Sequence, residues 1–336
     1  MKILVTGGLG YIGSHTTIQL IQDGHDVVIL DDLSNCDRAV LVAVQKITHR
    51  NCEFYEGDIR NKALLTTIFE NNDIDAVIHF AGLKSVSESV QKPLDYYANN
   101  VVGATCLLES MDCNGVKNII FSSSASVYGN PRSLPISEEH LLNPNNPYAN
   151  TKKQIEEIMH DLVESDNSWK VVILRYFNPV GAHPSRLIGE NPKGLPANLV
   201  PFITKVAREK GLVLPIYGDN YPTKDGTGVR DYIHITDLAK GHSAALTYLS
   251  RQDENPAIFN LGRGHGVSVL EMVSAFELVN GVSVEYRIVE PRKGDVAECY
   301  ADNAKACSVL DWAPECGVSD MCESAWDFVQ NPGKSS

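Results

Sequence analysis

The chain has 336 residues, 43% of them hydrophobic, and carries a formal net charge of −13 at pH 7. This length and apolar fraction allow a large core in one domain or in two closely joined ones. The negative charge is spread along the chain rather than gathered in a tail, so we expect neither nucleic acid nor an anionic membrane surface as a partner.

The first residues and the cysteines predict where the protein works. Residues 1–5 form an apolar stretch that runs directly into glycines, which is too short for a signal-peptide core or a membrane helix. None of the eight cysteines belongs to a C-x-x-C pair, and no spacing of Cys and His is typical of a zinc site. We therefore expect a cytoplasmic protein with reduced thiols and no metal.

Short β-branched segments alternate with longer amphipathic ones in the first half of the chain. We predict strands at residues 3–6, 27–31, 76–80, 118–122 and 171–176, and helices at residues 11–22, 62–70 and 94–111. Strands that are apolar on both faces are typical of a parallel sheet covered by helices on each side. The predicted fold class is α/β, a doubly wound parallel sheet of the Rossmann type that binds ligands beyond the carboxyl ends of its strands.

The pattern changes in the second half of the chain. Pro- and Gly-rich connections at residues 179–196 and 217–228 alternate with helical patterns at residues 198–208 and 236–249. We predict a Rossmann domain at residues 1–177 and a smaller α/β lobe at residues 178–336 that binds the substrate. A segment near residues 230–262 is expected to return to the first domain.

A glycine motif directly follows the first predicted strand. Gly7, Gly10 and Gly13 form a G-x-x-G-x-x-G pattern that opens the first helix. Such glycines make the tight turn, let the backbone approach a pyrophosphate and let the helix pack closely, so that the anion meets the helix N-terminus. Asp31 and Asp32 follow the second strand, where carboxylates bind the adenosine ribose and repel a 2′-phosphate. We therefore predict NAD rather than NADP as the cofactor.

A tyrosine and a lysine four residues apart are the candidate chemical groups. Tyr148 and Lys152 lie on one face of a helix that begins at a proline. A lysine ammonium and a bound nicotinamide cation should lower the pKa of the phenol, which could then take a proton from a substrate hydroxyl group. Ser124, in the serine cluster after the fourth predicted strand, is expected to assist the proton transfer. Tyr128 has no lysine four residues later, and we interpret it as structural.

Five segments together resemble the UDP-glucose 4-epimerase family of extended short-chain dehydrogenases/reductases. They are the glycine motif through His15, the segments His79–Lys84, Arg175–Pro184 and Asp225–His234, and the pattern Arg292-x-Gly294-Asp295. The glycine motif is shared by many dinucleotide enzymes, whereas the last three segments are specific to this branch. The likeness covers nearly the whole chain and includes, as one variant, the UDP-N-acetylglucosamine 4-epimerases.

The resemblance implies two sets of binding residues. Beside Tyr148 and Lys152, the NAD site is implied to include Tyr11, Ile12, Asp31, Asp32, Asn35, Asp58, Ile59, Phe80, Ala81, Gly82, Lys84, Asn99 and Phe177. The UDP-sugar site is implied to include Ser124, Asn178, Asn198, Leu199, Tyr217, Arg230 and Arg292. A guanidinium fork suits a diphosphate, which agrees with the two arginines in an otherwise acidic chain.

The family mechanism that the resemblance implies inverts C4 of a UDP-linked hexose. Tyr148 removes the proton of the 4-hydroxyl group, C4 gives a hydride to NAD, and the 4-keto sugar turns before the hydride returns to its other face. No net oxidation occurs, so we expect NAD to remain bound through purification. Family members are commonly dimers, and we expect a homodimer.

The position before Tyr300 departs from the pattern of many bacterial family members. A bulky tyrosine stands there in those members, whereas this chain has Cys299. By the resemblance, a small residue leaves room for a 2-acetamido group, so UDP-GlcNAc and UDP-GalNAc are expected substrates beside UDP-glucose and UDP-galactose. Tyr300 should not replace the missing ring, because adjacent side chains of an extended segment point to opposite faces.

Three alternatives remain at the level of the sequence. The enzyme could accept only UDP-glucose and UDP-galactose, if Cys299 is merely a small apolar residue. A sugar-nucleotide dehydratase would share the fold, the cofactor and the Tyr/Lys pair, but it needs an acid pair where this chain has Ala125 and Ser126. A non-catalytic NAD-sensing module could use the same fold, although it would not need Ser124, Tyr148 and Lys152 together.

Overall fold

A computed structural model of the chain describes residues 1–192, 196–251, 254–292 and 295–331. Gly294, part of one of the family-like patterns, lies outside the described residues. The strands are β1 (Lys2–Thr6), β2 (Asp26–Asp31), β3 (Glu53–Glu56), β4 (Ala76–His79), β5 (Asn118–Ser124), β6 (Lys170–Tyr176), β7 (Asn178–Val180), β8 (Leu214–Tyr217), β9 (Val229–His234), β10 (Ala257–Leu261), β11 (Gly266–Ser268), β12 (Tyr286–Val289) and β13 (Glu298–Cys299).

The helices account for most of the remaining regular structure. They are α1 (Tyr11–Gln22), α2 (Ala39–Thr48), α3 (Lys62–Asn71), α4 (Val86–Gln91), α5 (Pro93–Tyr96), α6 (Val102–Cys113), α7 (Pro147–Ser165), α8 (Leu199–Arg208), α9 (Ile235–Leu249), α10 (Val269–Asn280), α11 (Ala304–Val309) and α12 (Val318–Val329). Among the described helices, none is both long and apolar enough to cross a bilayer.

A seven-stranded parallel sheet forms the centre of the molecule. Its strand order is β10-β6-β5-β4-β1-β2-β3, and every neighbouring pair in it is parallel. The order reverses between β1 and β4, so a crevice opens there beyond the carboxyl ends of the two strands. This arrangement confirms the predicted doubly wound Rossmann sheet.

Alternating strand residues pack against helices on both faces of the sheet. In β1, Ile3 and Val5 belong to a core shared with α1, α2 and α9. Leu4 points to the other side, into a core shared with α3, α6 and α7. All three side chains are fully buried, which explains why the strand reads as a continuous apolar run.

The second half of the chain is divided between two layers of structure. Strands β7, β11 and β13 all pair with β9, and β8 pairs with β12, around a separate core that includes Ile203 and Phe276. In contrast, β10 pairs with β6 in the central sheet, and buried residues of α9 share the core of α1. The division at residues 177 and 178 stays a prediction.

The helix predicted at residues 94–111 is the main local difference. The structure interrupts it with a π-helical turn at Tyr97–Val101, between α5 and α6. Such turns are often found at functional sites, and this one contains Asn99. The periodicity of the sequence did not reveal the extra residue in the turn, because both flanking helices continue the same amphipathic pattern.

Candidate active site

The glycine turn between β1 and α1 lies at the crevice of the central sheet. Gly7 has φ +68°, and a β-carbon there would lie 2.8 Å from the backbone nitrogen of Ala81, which follows β4. A β-carbon at Gly13 would overlap the carbonyl oxygen of Gly7. The N-cap residue Gly10 offers no side-chain cap to α1, so first-turn N–H groups are left for an anion.

The carboxylate of Asp31 binds the loops around this turn. It accepts hydrogen bonds from the backbone nitrogens of Leu9, at 3.0 Å, and Leu33, at 2.9 Å. The thiol of Cys36 donates to the same group at 3.2 Å. Asp31 is buried, whereas the adjacent Asp32 is exposed. The first acid therefore fixes the shape of the turn, and the second faces solvent at its rim.

The other residues expected at the cofactor cluster along the same edge of the sheet. Tyr11 and Ile12 open α1 after β1; Asn35 follows β2; Asp58 and Ile59 follow β3; Phe80, Ala81, Gly82 and Lys84 follow β4; Phe177 follows β6; and Asn99 lies in the π-helical turn. The carboxylate of Asp58 accepts hydrogen bonds from Arg60, which lower its pKa.

Sequence reasoning missed Asn100, the neighbour of Asn99. The buried amide of Asn100 accepts from the backbone nitrogen of Leu83 at 2.8 Å and donates to the carbonyl oxygen of Leu83 at 3.0 Å. It also donates to the hydroxyl group of Thr151 at 3.0 Å. Asn100 thus joins the loop after β4 to the helix that carries Tyr148. The adjacent pair of asparagines after an aromatic segment was the only signal in the sequence.

Helix α7 carries the candidate chemical groups at its start. The side chain of Asn146 caps it by accepting from the backbone nitrogen of Ala149 at 2.9 Å, and Pro147 occupies the first turn. Tyr148 and Lys152 follow one turn apart. The ammonium of Lys152 donates to the carbonyl oxygen of Ser122 at 2.7 Å and lies 4.8 Å from the centre of the Phe121 ring.

Burial opposes charge on both of these groups. It lowers the pKa of the Lys152 ammonium to about 8, although the carboxylate of Glu156 opposes this shift. Burial also raises the pKa of the Tyr148 phenol above its ordinary value, and a hydrogen bond with Ser124 partly offsets the rise. The protein by itself therefore does not produce the lowered phenol pKa expected from the sequence, and the positive charge of a bound nicotinamide is needed in addition to that of Lys152.

The serine cluster lies where the sequence predicted it, at the carboxyl end of β5. The hydroxyl groups of Ser124 and Ser126 are 2.6 Å apart. Tyr128, interpreted as structural, is fully buried, and its hydroxyl group donates to the side-chain oxygen of Asn260 at 2.7 Å. Burial raises its pKa to about 12, so Tyr128 is unsuited to be the base.

The candidate substrate residues line the lobe that faces this edge. The guanidinium of Arg292 lies over the Tyr217 ring, 3.8 Å from its centre, and Arg230 donates to Asp295 at 3.0 Å. Cys299 is paired with Arg230 in the ladder of β13 and β9. Cys299 also packs against the cluster that contains Phe177, so the lobe and the Rossmann sheet meet at this cysteine.

A carboxylate that sequence reasoning missed connects the two sets of candidates. Glu190 accepts from the amide of Asn198 at 2.6 Å and from the ammonium of Lys84 at 3.3 Å. Asn198 and Leu199 mark the start of α8, and Asn178 is an exposed residue at the start of β7. Glu190 could not be recognised from the sequence, because it lies in an ordinary Pro- and Gly-rich loop pattern.

A second missed carboxylate, Asp231, supports the segment that holds Cys299. It is fully buried and accepts from the backbone nitrogens of Arg263, Gly264 and Ala301 at 2.7, 3.0 and 3.1 Å. Burial raises its pKa to about 6 although these hydrogen bonds lower it. Its position directly after Arg230 in a family-like segment was the available signal.

Comparisons with known proteins agree with this geometry. The model of a family described as GDP-mannose 4,6 dehydratase matches residues 4–325. A UDP-glucose 4-epimerase of Bacillus subtilis is 52% identical over 326 residues, which cover 97% of this chain and 96% of the relative. The crystal structure of UDP-glucose 4-epimerase from Bifidobacterium longum in complex with NAD+ and UDP is 48% identical, with a TM-score of 0.95 over 99% of this chain and 100% of the other.

A second similar structure is the UDP-Glc/GlcNAc 4-epimerase of Campylobacter jejuni. It is 37% identical, with a TM-score of 0.85 over 98% of this chain and 99% of the other. Within the described ranges, no group of three or more His, Cys, Asp or Glu side chains is arranged to hold a metal ion.

The pKa of Lys152 leads to a prediction about stability. Because the folded state loses this proton near pH 8 and the unfolded chain near its ordinary value of 10.5, the unfolded state binds more protons between these values. Wild-type stability should therefore rise relative to Lys152→Met, by about 2 kcal/mol from about pH 7 to about pH 9.5. Urea unfolding of both proteins at the two pH values measures this difference.

The matched control is Lys153→Met, which removes the neighbouring lysine that pairs with Glu157 on the surface. We expect it to stay within about 0.5 kcal/mol of wild type at both pH values. A constant difference between wild type and Lys152→Met across this window would contradict the assignment of a strongly desolvated ammonium.

Proposed function

The chain belongs to the UDP-glucose 4-epimerase family, and we propose that it inverts C4 of acetamido UDP-hexoses as well as plain ones. It is an NAD-dependent isomerase of UDP-sugars. The proposed substrates are UDP-GlcNAc and UDP-GalNAc in addition to UDP-glucose and UDP-galactose. The observation that carries the acetamido part is the small side chain of Cys299 beside Arg230.

The residues at the crevice fit NAD. The turn at Gly7 and Gly13 leaves no room for side chains, and the uncapped start of α1 offers N–H groups to a pyrophosphate. Asp31 and Asp32 stand at the end of β2, where a ribose is bound in such sheets. When bound, NAD supplies the acceptor and donor for the hydride of C4.

The protein's own residues handle the proton. We assign to the Tyr148 phenolate the removal of the 4-hydroxyl proton and its return after inversion. The hydroxyl of Ser124 is hydrogen-bonded to this phenol and is suited to orient the same substrate hydroxyl. Lys152 stabilises the phenolate through its positive charge, and its bond to Ser122 fixes the ammonium close to the chemistry.

Two arginines are suited to hold the diphosphate of the substrate. Arg230 and Arg292 supply positive charge in a chain of net charge −13 and can bind phosphate oxygens in a bidentate way. Arg230 contacts Asp295, and Arg292 lies over the ring of Tyr217. We infer that the diphosphate replaces Asp295 as the anionic partner of Arg230.

The surroundings of Cys299 support an enlarged sugar pocket. Directly paired residues of parallel strands project to the same face, so Cys299 and Arg230 share a face of the small sheet. The Tyr300 ring lies instead near Gly266 of β11, which pairs with Asp231 rather than with Arg230, so the ring is on the other face. Burial raises the pKa of the Cys299 thiol to about 11, so the thiol is a small neutral group rather than a nucleophile. The similar Campylobacter jejuni enzyme is itself named for both UDP-Glc and UDP-GlcNAc.

The dehydratase alternative lacks its required acids. The family whose model matches is described as a 4,6-dehydratase, but Ala125 is buried after β5 and the hydroxyl of Ser126 is bonded to Ser124. These two positions therefore present no carboxylate to a substrate. A non-catalytic sensor of NAD would not require Ser124, Tyr148 and Lys152 to meet at one edge of the sheet.

We also propose that two copies of the chain associate through α4, α5 and α6. Val86, Val90, Leu94 and Val102 lie on these helices and are 45%, 63%, 79% and 51% exposed. Neighbouring exposed apolar side chains of this kind mark interaction surfaces on soluble proteins. A self-complementary contact between identical faces is the usual symmetric solution.

The substrate range is tested with purified protein and no added NAD. We expect conversion of both UDP-galactose and UDP-GalNAc, resolved by chromatography, because retained NAD supports the cycle. Tyr148→Phe should retain NAD but lose at least about 100-fold in kcat with either substrate, since it removes the acid/base group. Conversion of UDP-galactose alone would contradict the acetamido proposal, and activity in Tyr148→Phe would contradict the assignment of the base.

The role of Cys299 is tested by restoring a ring. Cys299→Tyr should reduce kcat/KM for UDP-GalNAc by at least about 100-fold while changing that for UDP-galactose by less than about 10-fold, because the added ring fills the acetamido space. Cys299→Ala keeps the pocket open and should retain both activities. Equal losses with both substrates in Cys299→Tyr would indicate general damage and sink the specificity argument.

Association is tested by placing charge on the apolar face. We expect a dimer for wild type and a monomer for Leu94→Asp in analytical ultracentrifugation, because a buried unpaired carboxylate is costly. Leu278→Asp is the matched control, since Leu278 is 85% exposed on a different helix. A dimer that persists in Leu94→Asp would place the contact elsewhere.

A further inference from the structure

A fully buried ion pair lies directly behind the candidate catalytic residues. The guanidinium of Arg175 donates from Nη2 to Oε2 of Glu156 at 2.6 Å and from Nε to Oε1 at 3.1 Å. Glu156 and Arg175 are 4% and 2% exposed. The hydroxyl group of Ser123 also donates to Glu156. Both charges are therefore removed from water and satisfied by each other and by their neighbours.

The pair joins the elements that carry the chemistry. Glu156 lies one helical turn after Lys152 on α7. Ser123 and Arg175 are paired neighbours in β5 and β6, and the residues next to them, Ser124 and Tyr176, lie at the ends of those strands. The ion pair thus fixes the helix of Tyr148 and Lys152 against the strand ends that present Ser124 and lead into Phe177.

Packing alone does not explain two buried charges at this place. Replacing a buried ion pair by apolar residues of similar volume is often neutral or stabilising, whereas removing one partner leaves an uncompensated charge. An apolar contact would hold α7 on the sheet equally well. A charged pair one helical turn from Lys152 changes the electrostatic potential at the ammonium, whereas an apolar pair at the same place would not.

We propose that Glu156 and Arg175 are positioning residues for the epimerase reaction and act through Lys152, an inference that rests on the proposed roles of Tyr148 and Lys152. Glu156 lies four residues after Lys152 on the same helix, and its carboxylate stabilises the charged form of the ammonium. Arg175 holds that carboxylate in place and limits its effect. Burial lowers the pKa of the ammonium, and the pair partly offsets this shift. Lys152 thereby keeps the positive charge that the proposed reaction needs.

The groups that face Lys152 leave Glu156 as the source of negative charge. From β5 it meets the Ser122 carbonyl and the Phe121 ring. From β4 it faces His79, whose pKa is lowered to about 3 by burial and by the charge of Lys152, so that this ring is neutral. On its own helix it is accompanied by Tyr148 and Glu156. Burial lowers the pKa of Lys152 to about 8, and Glu156 opposes that shift.

Two single substitutions test the proposal because they should act in opposite directions. Glu156→Gln leaves the positive Arg175 unopposed, so the alkaline limb of kcat/KM for UDP-galactose should move to lower pH by about one unit. Arg175→Gln leaves Glu156 unopposed, so the same limb should move to higher pH. A purely structural role would reduce activity in both variants without displacing the limb in opposite directions.

A double variant keeps the test decisive if either single variant fails to fold. Glu156→Gln combined with Arg175→Gln removes both charges of the pair together, so neither is left buried without its partner, and the double variant should retain NAD. Its alkaline limb should lie at a lower pH than that of wild type, because the carboxylate that raises the pKa of Lys152 is lost. Glu157→Gln, which breaks the exposed pair with Lys153 one residue away, is the matched control and should leave the profile unchanged.

An alkaline limb that stays at the wild-type pH in the double variant and in every single variant that folds would overturn the proposal. This outcome is distinct from failure of the proposed function. If the proposed function were wrong, wild type would not convert UDP-galactose, or Tyr148→Phe would convert it at the wild-type rate.

Discussion

The single direction of all seven central strands is the constraint on which the site depends. Parallel strands bring their carboxyl ends to one edge, and the segments after β1, β2, β3, β4, β5 and β6 therefore meet there. The glycine turn, the acids after β2, the serine cluster and Phe177 are far apart in the sequence but share that edge. The backbone geometry of the sheet, rather than any one side chain, brings together the candidate cofactor-binding and proton-transfer groups.

The second constraint is the cost of charge in this protein interior. Burial disfavours the ammonium of Lys152, the phenolate of Tyr148 and the carboxylate of Asp231. Each is held by specific neighbours: a strand carbonyl for Lys152, a serine for Tyr148, and three backbone N–H groups for Asp231. For Lys152 this brings the pKa to about 8, close to neutral pH, which suits the proposed acid/base chemistry. The same desolvation would be only a loss of stability at a site without chemistry.

The sequence predicted those features that depend on local patterns. The helix at residues 11–22 was predicted to its ends, because a strand, a glycine turn and an amphipathic run follow in order. Strand β3 was missed, since it is a four-residue edge strand with only partly buried side chains. Glu156 and Arg175 could not be recognised, because a glutamate on a helix usually faces solvent and its buried partner lies 19 residues away. Long-range electrostatic partners are set by the fold and leave no periodic signal.

The residues proposed for substrate selectivity and for chemistry lie in different layers of the molecule. Cys299 belongs to the small sheet around β9, whereas Tyr148 and Lys152 lie on a helix of the Rossmann domain. The two layers meet through the cluster that contains Ala125 and Phe177, and through the backbone hydrogen bond from Ile136 to Tyr300 at 2.9 Å. The segment is held by the backbone pairing of β13 with β9 and, two residues after Cys299, by the hydrogen bond from the backbone nitrogen of Ala301 to Asp231. Because these contacts do not involve the side chain at position 299, we expect that side chain to be able to change in size without moving the acid/base groups. This separation supports the proposal that a small residue at position 299 admits an acetamido group without altering the acid/base groups.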